Sequence, residues 1–231
     1  MHFWSSGVGK DTLIFFSIAL FIYSVKHIKK RFIYLFIAIL CSIYIRPHIT
    51  LFLLLAFGIG LLFDKKLLLY QKGLILTLFV VGFLSIYSYV LQFIDIENLD
   101  LDTIEEYGNI TSENLRGEDT GSSIDTSSYP LLLKVFTFLY RPLFFDGKSL
   151  LGLVASFENL LLLIFTIKIL VSKPLRAFRQ SNHLIKGIFV FFIIGSFSFS
   201  LILGNLGIML RQKTPFVICL VIFGFWVFSI N

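Results

Sequence analysis

Long apolar stretches set apart by short charged clusters constrain this chain more than any single motif does. Seven stretches dominated by Phe, Leu and Ile fall at 11–25, 32–45, 49–63, 73–93, 150–171, 187–203 and 214–230. Several are only 14 or 15 residues long, below the ~20 of a simple span. Flanking aromatic and snorkelling basic residues can lengthen them. A chain that is 57% hydrophobic and only 15% charged, with 28 Phe, lies outside the range of soluble globular proteins. The expected fold is an all-α, polytopic transmembrane helix bundle of about seven spans. Its organisation reads as transmembrane helices 1–4 over residues 1–93, an acidic extracytoplasmic loop at 94–130, an interfacial or re-entrant helix at 131–149 and transmembrane helices 5–7 over 150–231.

Charge placement orients the bundle. Lys26, Lys29, Lys30 and Arg31 separate the first two stretches, Lys65, Lys66 and Lys72 the third and fourth, and Lys173, Arg176, Arg179 and Lys186 the fifth and sixth. Threading seven spans in order puts all three clusters on one side, which the positive-inside rule makes cytoplasmic. The N-terminus is then outside and the C-terminus cytoplasmic. Segment 94–130 holds ten Asp/Glu against the single Arg116, and cannot bury enough apolar surface to pack as a core. The net charge of +6 would invite a nucleic-acid reading in a soluble protein, but here it lies in the loops between spans, so no nucleic-acid partner is expected. Cys41 and Cys219 both lie in apolar stretches and read as buried small hydrophobes rather than a disulfide or metal pair. No basic segment precedes the first apolar run, so no cleavable signal peptide is expected.

Few residues carry chemistry. Residues 6–12, SGVGKDT, look like a phosphate-binding loop but lack its first Gly, where Trp4 stands, and its Ser/Thr after the Lys, where Asp11 stands. Basic residues recur where the chain should turn at the outer boundary: Arg46-Pro47-His48, Arg141-Pro142 and Arg211-Gln212-Lys213. Arg is permanently charged and its planar fork fits phosphate oxygens, so this set suits a pyrophosphate. Each Arg-Pro pair also stops a helix and holds its Arg at a defined depth. The competing reading is snorkelling to headgroups or pairing with the acidic loop. Glu158 stands inside the fifth stretch, where a carboxylate needs a polar cavity or an Arg partner, and a structural pair is as good an account as a general base. Asp11 and Asp146 are shallower acidic candidates. No His/Cys/carboxylate group has metal-ligand spacing.

Several segments taken together resemble bacterial envelope-polysaccharide membrane proteins of the O-antigen polymerase-like and GT-C glycosyltransferase-like kinds. They are residues 3–11 (FWSSGVGKD), Arg46-Pro47-His48, residues 139–143 (LYRPL), 157–160 (FENL) and 205–213 (NLGIMLRQK). The resemblance implies a bacterial inner-membrane protein that handles a polyprenyl-pyrophosphate-linked glycan at the periplasmic face, with membrane lipid as its other partner and no cofactor or metal. It further implies that Arg46, His48, Arg141, Arg211 and Lys213 engage the pyrophosphate, and that Glu158 or Asp11 activates an acceptor hydroxyl. Such proteins usually have more spans, so the chain is also expected to be the C-terminal part of a longer one. A non-catalytic transport or scaffold subunit and an inactive truncated product are the alternatives.

Overall fold

The computed structural model describes residues 9–28, 30–63, 128–146 and 150–230, with Ile124, Thr126 and scattered positions between 68 and 84. Their regular structure is helical, with no strand among the described residues. Most of the expected fourth span and acidic loop lie outside the described residues.

Three helices form the first half: α1 (Lys10–Val25), α2 (Phe32–Ile45) and α3 (Pro47–Leu62). Arg46 ends α2 in extended backbone and Pro47 opens α3, which is the break that an Arg-Pro pair dictates. Then follow α4 (Leu131–Tyr140), α5 (Leu150–Val171), α6 (Pro174–Gln180), α7 (His183–Ile202), α8 (Leu206–Gln212) and α9 (Thr214–Ile230). Helix α4 stops at Tyr140 because Arg141, ahead of Pro142, is extended; the Arg141–Pro142 bond is cis. Asn182 caps α7 by accepting from the Ile185 amide at 2.9 Å. The cap starts α7 four residues ahead of the expected stretch and draws Lys186 into a buried position.

Helix α7 is the axis of the bundle and packs on α3, α9, α4 and α1. Its contact with α3 is close because both surfaces present glycine. A Cβ on Gly60 would lie 2.7 Å from the His183 carbonyl oxygen, and one on Gly187 would lie 2.6 Å from the Phe57 ring. Gly195 makes the same room for Phe216 of α9. The core is aromatic: Phe138 stacks on Phe199 at 6.2 Å, and Phe199 and Phe191 lie 5.4 and 5.2 Å from Phe216.

The outside is also apolar. On α5 the stripe Leu153, Phe157, Leu161 and Ile164 is roughly half exposed, an outward face that suits lipid rather than water. Helices α5 and α7 are long and apolar enough to cross a bilayer, and α8 with α9 makes a third candidate bent by 52°. Helices α2 and α3 are shorter; 14 and 16 residues rise about 21 and 24 Å, less than a ~30 Å hydrocarbon core. The all-helical architecture is therefore present, with two candidate spans, or up to three, among the described residues. One cysteine differs from expectation. Cys219 is buried, but Cys41 is exposed, lining an open cleft between α1 and α2.

Packing sorts the helix ends. At one end Gly60 meets His183, the Lys186 Nζ reaches the Phe63 carbonyl at 3.5 Å, and the Trp226 indole donates to Ala177 O at 3.1 Å. Exposed Lys173, Arg176 and Arg179 lie at this end on and beside α6. The opposite end gathers Asp11, Arg46, Arg211 and Lys213.

Candidate functional site

Two arginines from distant parts of the chain converge on one carboxylate. Asp11 occupies the first turn of α1, where the helix dipole favours an anion. Arg46 is held at the α2–α3 joint by Pro47, and Arg211 lies in the last turn of α8. The Arg46 Nη2 donates to Asp11 Oδ1 at 2.8 Å and its Nη1 donates to Gln212 Oε1. The Arg211 Nε donates to Asp11 Oδ2 at 3.0 Å, joined by Nη2. Two guanidinium groups against one carboxylate leave the triad net positive. Arg46 and Asp11 are largely enclosed, at 17% and 19% side-chain exposure, whereas Arg211 is 51% exposed and open to an incoming anion. Asp11, Arg46, Arg211 and Gln212 line a cavity of only about 20 Å³, room for about one water, so a larger group must approach from the Arg211 side.

Lys213 follows at the α8–α9 bend, and it points inward. It is 2% exposed, and its Nζ donates to Asn159 Oδ1 at 2.6 Å, Leu139 O at 2.8 Å and Arg141 O at 3.4 Å. These commit the three donors of an ammonium group. The two carbonyls belong to the end of α4, which leaves acceptors unsatisfied by the helix itself and carries its negative dipole end. Asn159 completes the clamp by donating to Pro142 O at 2.8 Å. Lys213, a pyrophosphate candidate by sequence, thus holds α4, α5 and the α8–α9 bend together. Glu158, half-buried next to Asn159, acts electrostatically on Lys213.

Arg141 and Asp146 form a separate pair. The Arg141 Nε and Nη2 donate to Asp146 Oδ2 and Oδ1 at 3.0 and 2.5 Å, and Nη1 reaches the Tyr129 hydroxyl at 3.5 Å. The Leu143 amide donates to the same carboxylate at 3.0 Å. The Asp146 hydrogen bond, working against burial, raises the Arg141 pKa above its usual value. Burial pushes the Asp146 carboxyl up, but the Arg141 bond, the Leu143 amide and the Arg141 charge outweigh it and hold it below the usual carboxylate range.

His48 is a packing residue, with its ring edge-on to Phe199 at 5.7 Å and to Phe52 at 6.2 Å. Of the residues singled out by sequence, Asp11, Arg46 and Arg211 meet directly. Lys213 adjoins them through the chain, and Arg141 and Glu158 border Lys213. Gln212 and Asn159 were missed as partners. Asn159 carried a signal, since an amide beside Glu158 within an apolar stretch needs a buried polar contact. Among the described residues no group of three or more His, Cys, Asp or Glu could hold a metal ion. No protein-family model, curated protein or solved structure matches the chain.

Proposed function

We propose that this is a bacterial inner-membrane protein of surface-polysaccharide assembly that handles a polyprenyl-pyrophosphate-linked sugar at the periplasmic end of its helices, as a polymerase or glycosyltransferase. One observation carries the reading: Arg46 and Arg211 aim their forks from opposite parts of the chain at a single point occupied by a carboxylate. A diphosphate oxygen offers the same charge and acceptor geometry as that carboxylate oxygen. In this reading Arg211 makes first contact and Arg46 follows as Asp11 yields. Glu158 takes the proton of the acceptor hydroxyl as that oxygen bonds to the sugar C1. The bond from C1 to the lipid diphosphate breaks, and the charge gathering on the diphosphate is stabilised by the two Arg residues. Asp11, with both oxygens engaged by Arg, serves as the resident counter-ion and not as the base.

The alternative, a non-catalytic transport or scaffold subunit, has its own support: Asp11 and Asp146 already compensate Arg46 and Arg141 internally. The surface glycan of cells carrying Arg211→Ala separates the two, with protein abundance checked beside wild type and a deletion. Loss of long-chain glycan, or accumulation of single lipid-linked repeats, is expected from a normally abundant mutant. An unchanged glycan in both mutant and deletion would remove the polysaccharide reading.

A further inference from the structure

Helices α1, α2 and α3 run alongside α7, and all three are shorter than it. The His48 ring lies 5.7 Å from Phe199 near one end of α7, and Gly60 faces Gly187 near the other. Helix α3 thus accompanies a helix long enough to cross a bilayer. Phe21 of α1 lies 5.3 Å from Phe57 of α3, and Asp11 meets Arg46 at the head of both. Helix α2 is folded against α3 at their joint, where the Thr50 hydroxyl donates to Ser42 Oγ at 2.7 Å. At its other end Tyr34 packs edge-on to Tyr23 at the foot of α1, at 6.4 Å. Each of the three therefore connects the same two ends of the bundle that α7 connects.

Charges bracket these helices closely. Arg31 precedes the 14 residues of α2 and Arg46 follows them, about 22 Å away at the helical rise. Lys10 and Lys26 stand about 24 Å apart along α1. A short span ordinarily reaches both water layers because long basic side chains snorkel. Here the two arginines are tied down. Arg31 lies over the Tyr23 ring at 3.6 Å and donates to the Tyr23 carbonyl at 2.8 Å, while Arg46 is fixed by Asp11 and Gln212. Arg211, joined to Arg46 through Asp11 and about half exposed, keeps that level in contact with water or head groups. Exposed Tyr34 and Tyr44 stand near the two ends of α2, where interfacial aromatics belong. Tilting α2 would shorten its reach further. Helix α5 makes the opposite demand. It packs on α4, α6 and α9, whereas α2 packs on α1 and α3, and its exposed apolar face runs from Leu150 to Val171, about 32 Å.

We infer that the protein thins the bilayer locally along α1 and α2, its partner on that side being a shell of compressed acyl chains, while α5 sits in bilayer of ordinary thickness. A ~30 Å hydrocarbon core exceeds the distance between the fixed arginines of α2 by about 8 Å, and a span that cannot lengthen relieves such a mismatch by thinning the bilayer. The boundary then dips toward the Asp11–Arg46–Arg211 cluster and brings head groups and water to it. This needs only that the bundle crosses a membrane and is independent of the substrate proposed above.

Nitroxide labels on two equally spaced pairs of exposed positions read the thickness on each side. Ile33→Cys and Tyr44→Cys report on α2, Leu153→Cys and Ile164→Cys on α5, each made singly in a Cys41→Ser background; Cys219 is buried and stays unlabelled. The members of each pair are about 16 Å apart at the helical rise. In dioleoylphosphatidylcholine vesicles, the depth of each label below the nearer surface follows from its accessibility to oxygen and to a water-soluble nickel chelate. The two depths of a pair sum to about 14 Å in a ~30 Å core and to about 6 Å in one thinned to ~22 Å. The α2 sum is therefore expected at about half the α5 sum or less. In the longer-chain dierucoylphosphatidylcholine the α5 sum should grow while the α2 sum stays put. Equal sums for the two pairs would overturn the inference, since the bilayer would then be as thick beside α2 as beside α5. An α2 pair with one shallow label and one at the midplane would overturn it too, because α2 would then end inside an unthinned bilayer. Neither result depends on the glycan phenotype of Arg211→Ala, so the dip and the polysaccharide reading stand or fall separately.

Discussion

At the residue scale, the ionisable groups of this protein divide by what holds them. Lys213 is consumed by carbonyls and an amide, Arg141 by Asp146, and Arg46 by Asp11 and Gln212. Arg211 alone among these combines an ion pair with about half its side chain exposed. That makes it the group whose loss should change binding more than folding, since an exposed pair contributes ~1 kcal/mol or less to stability. Asp146 should show its role through pH. Its folded-state pKa is depressed, so its stabilising contribution is present above the ordinary carboxylate value of about 4 and lost as pH falls through the folded value. In thermal unfolding, wild type should exceed Asp146→Asn by a constant margin from neutral pH to about pH 5, and the margin should close below about pH 4. A margin that persists unchanged at lower pH would mean that the carboxylate charge is not what stabilises the turn. The residue types at the cluster were legible in the sequence, because Arg and Asp at the edges of apolar stretches stand out. Their partners were not, since Asp11 and Arg211 are separated by 200 positions.

At the element scale, the helix bounds were nearly all readable. Stretches 32–45 and 150–171 coincide with α2 and α5 because Arg-Pro and basic clusters bracket them. Helix α6 and the short α8 were not anticipated. Each is only seven residues, too short for a hydrophobic period to register, and α8 exists because the Asn205 side chain accepts from the Gly207 and Ile208 amides. The α3–α7 crossing gives a sharper test. Gly60 faces backbone atoms of His183 and Gly187 that cannot move without parting the helices, whereas a Cβ on Gly82 would meet only Leu54 at 3.9 Å. Gly60→Val is expected to cost roughly 2–3 kcal/mol or more, seen as a lower thermal midpoint in detergent. Gly82→Ala should be neutral or gain a few tenths of a kcal/mol from helix propensity. Equal midpoints for the two variants would contradict the close crossing.

At the scale of the whole molecule, the described helices run so that the basic connections collect at one end and the Asp11–Arg46–Arg211 cluster at the other. The positive-inside expectation for the loops then yields a topology test. In a Cys41→Ser background, Ser128→Cys lies beside Tyr129 at the cluster end, and Gln180→Cys lies at the basic end; both positions are exposed. A membrane-impermeant maleimide should label Ser128→Cys in intact cells and Gln180→Cys only after permeabilisation. The reverse pattern would put the cluster in the cytoplasm and end its assignment to periplasmic chemistry.

The sequence by itself determined that the chain is helical, apolar on its outside and asymmetric in charge, because hydropathy and loop charge act locally and add along the chain. It also marked Asp11, Arg46 and Arg211, since a charge beside hydrocarbon is costly wherever it sits. Only the tertiary structure decided that two of these Arg residues share one carboxylate, that Lys213 faces inward to hold the end of α4, and that α1 and α2 part to leave a cleft. Those outcomes depend on close helix approach at glycine surfaces and on which orphan carbonyl a lysine can reach. They are properties of packing between distant segments, for which a linear pattern of residues carries no local signal.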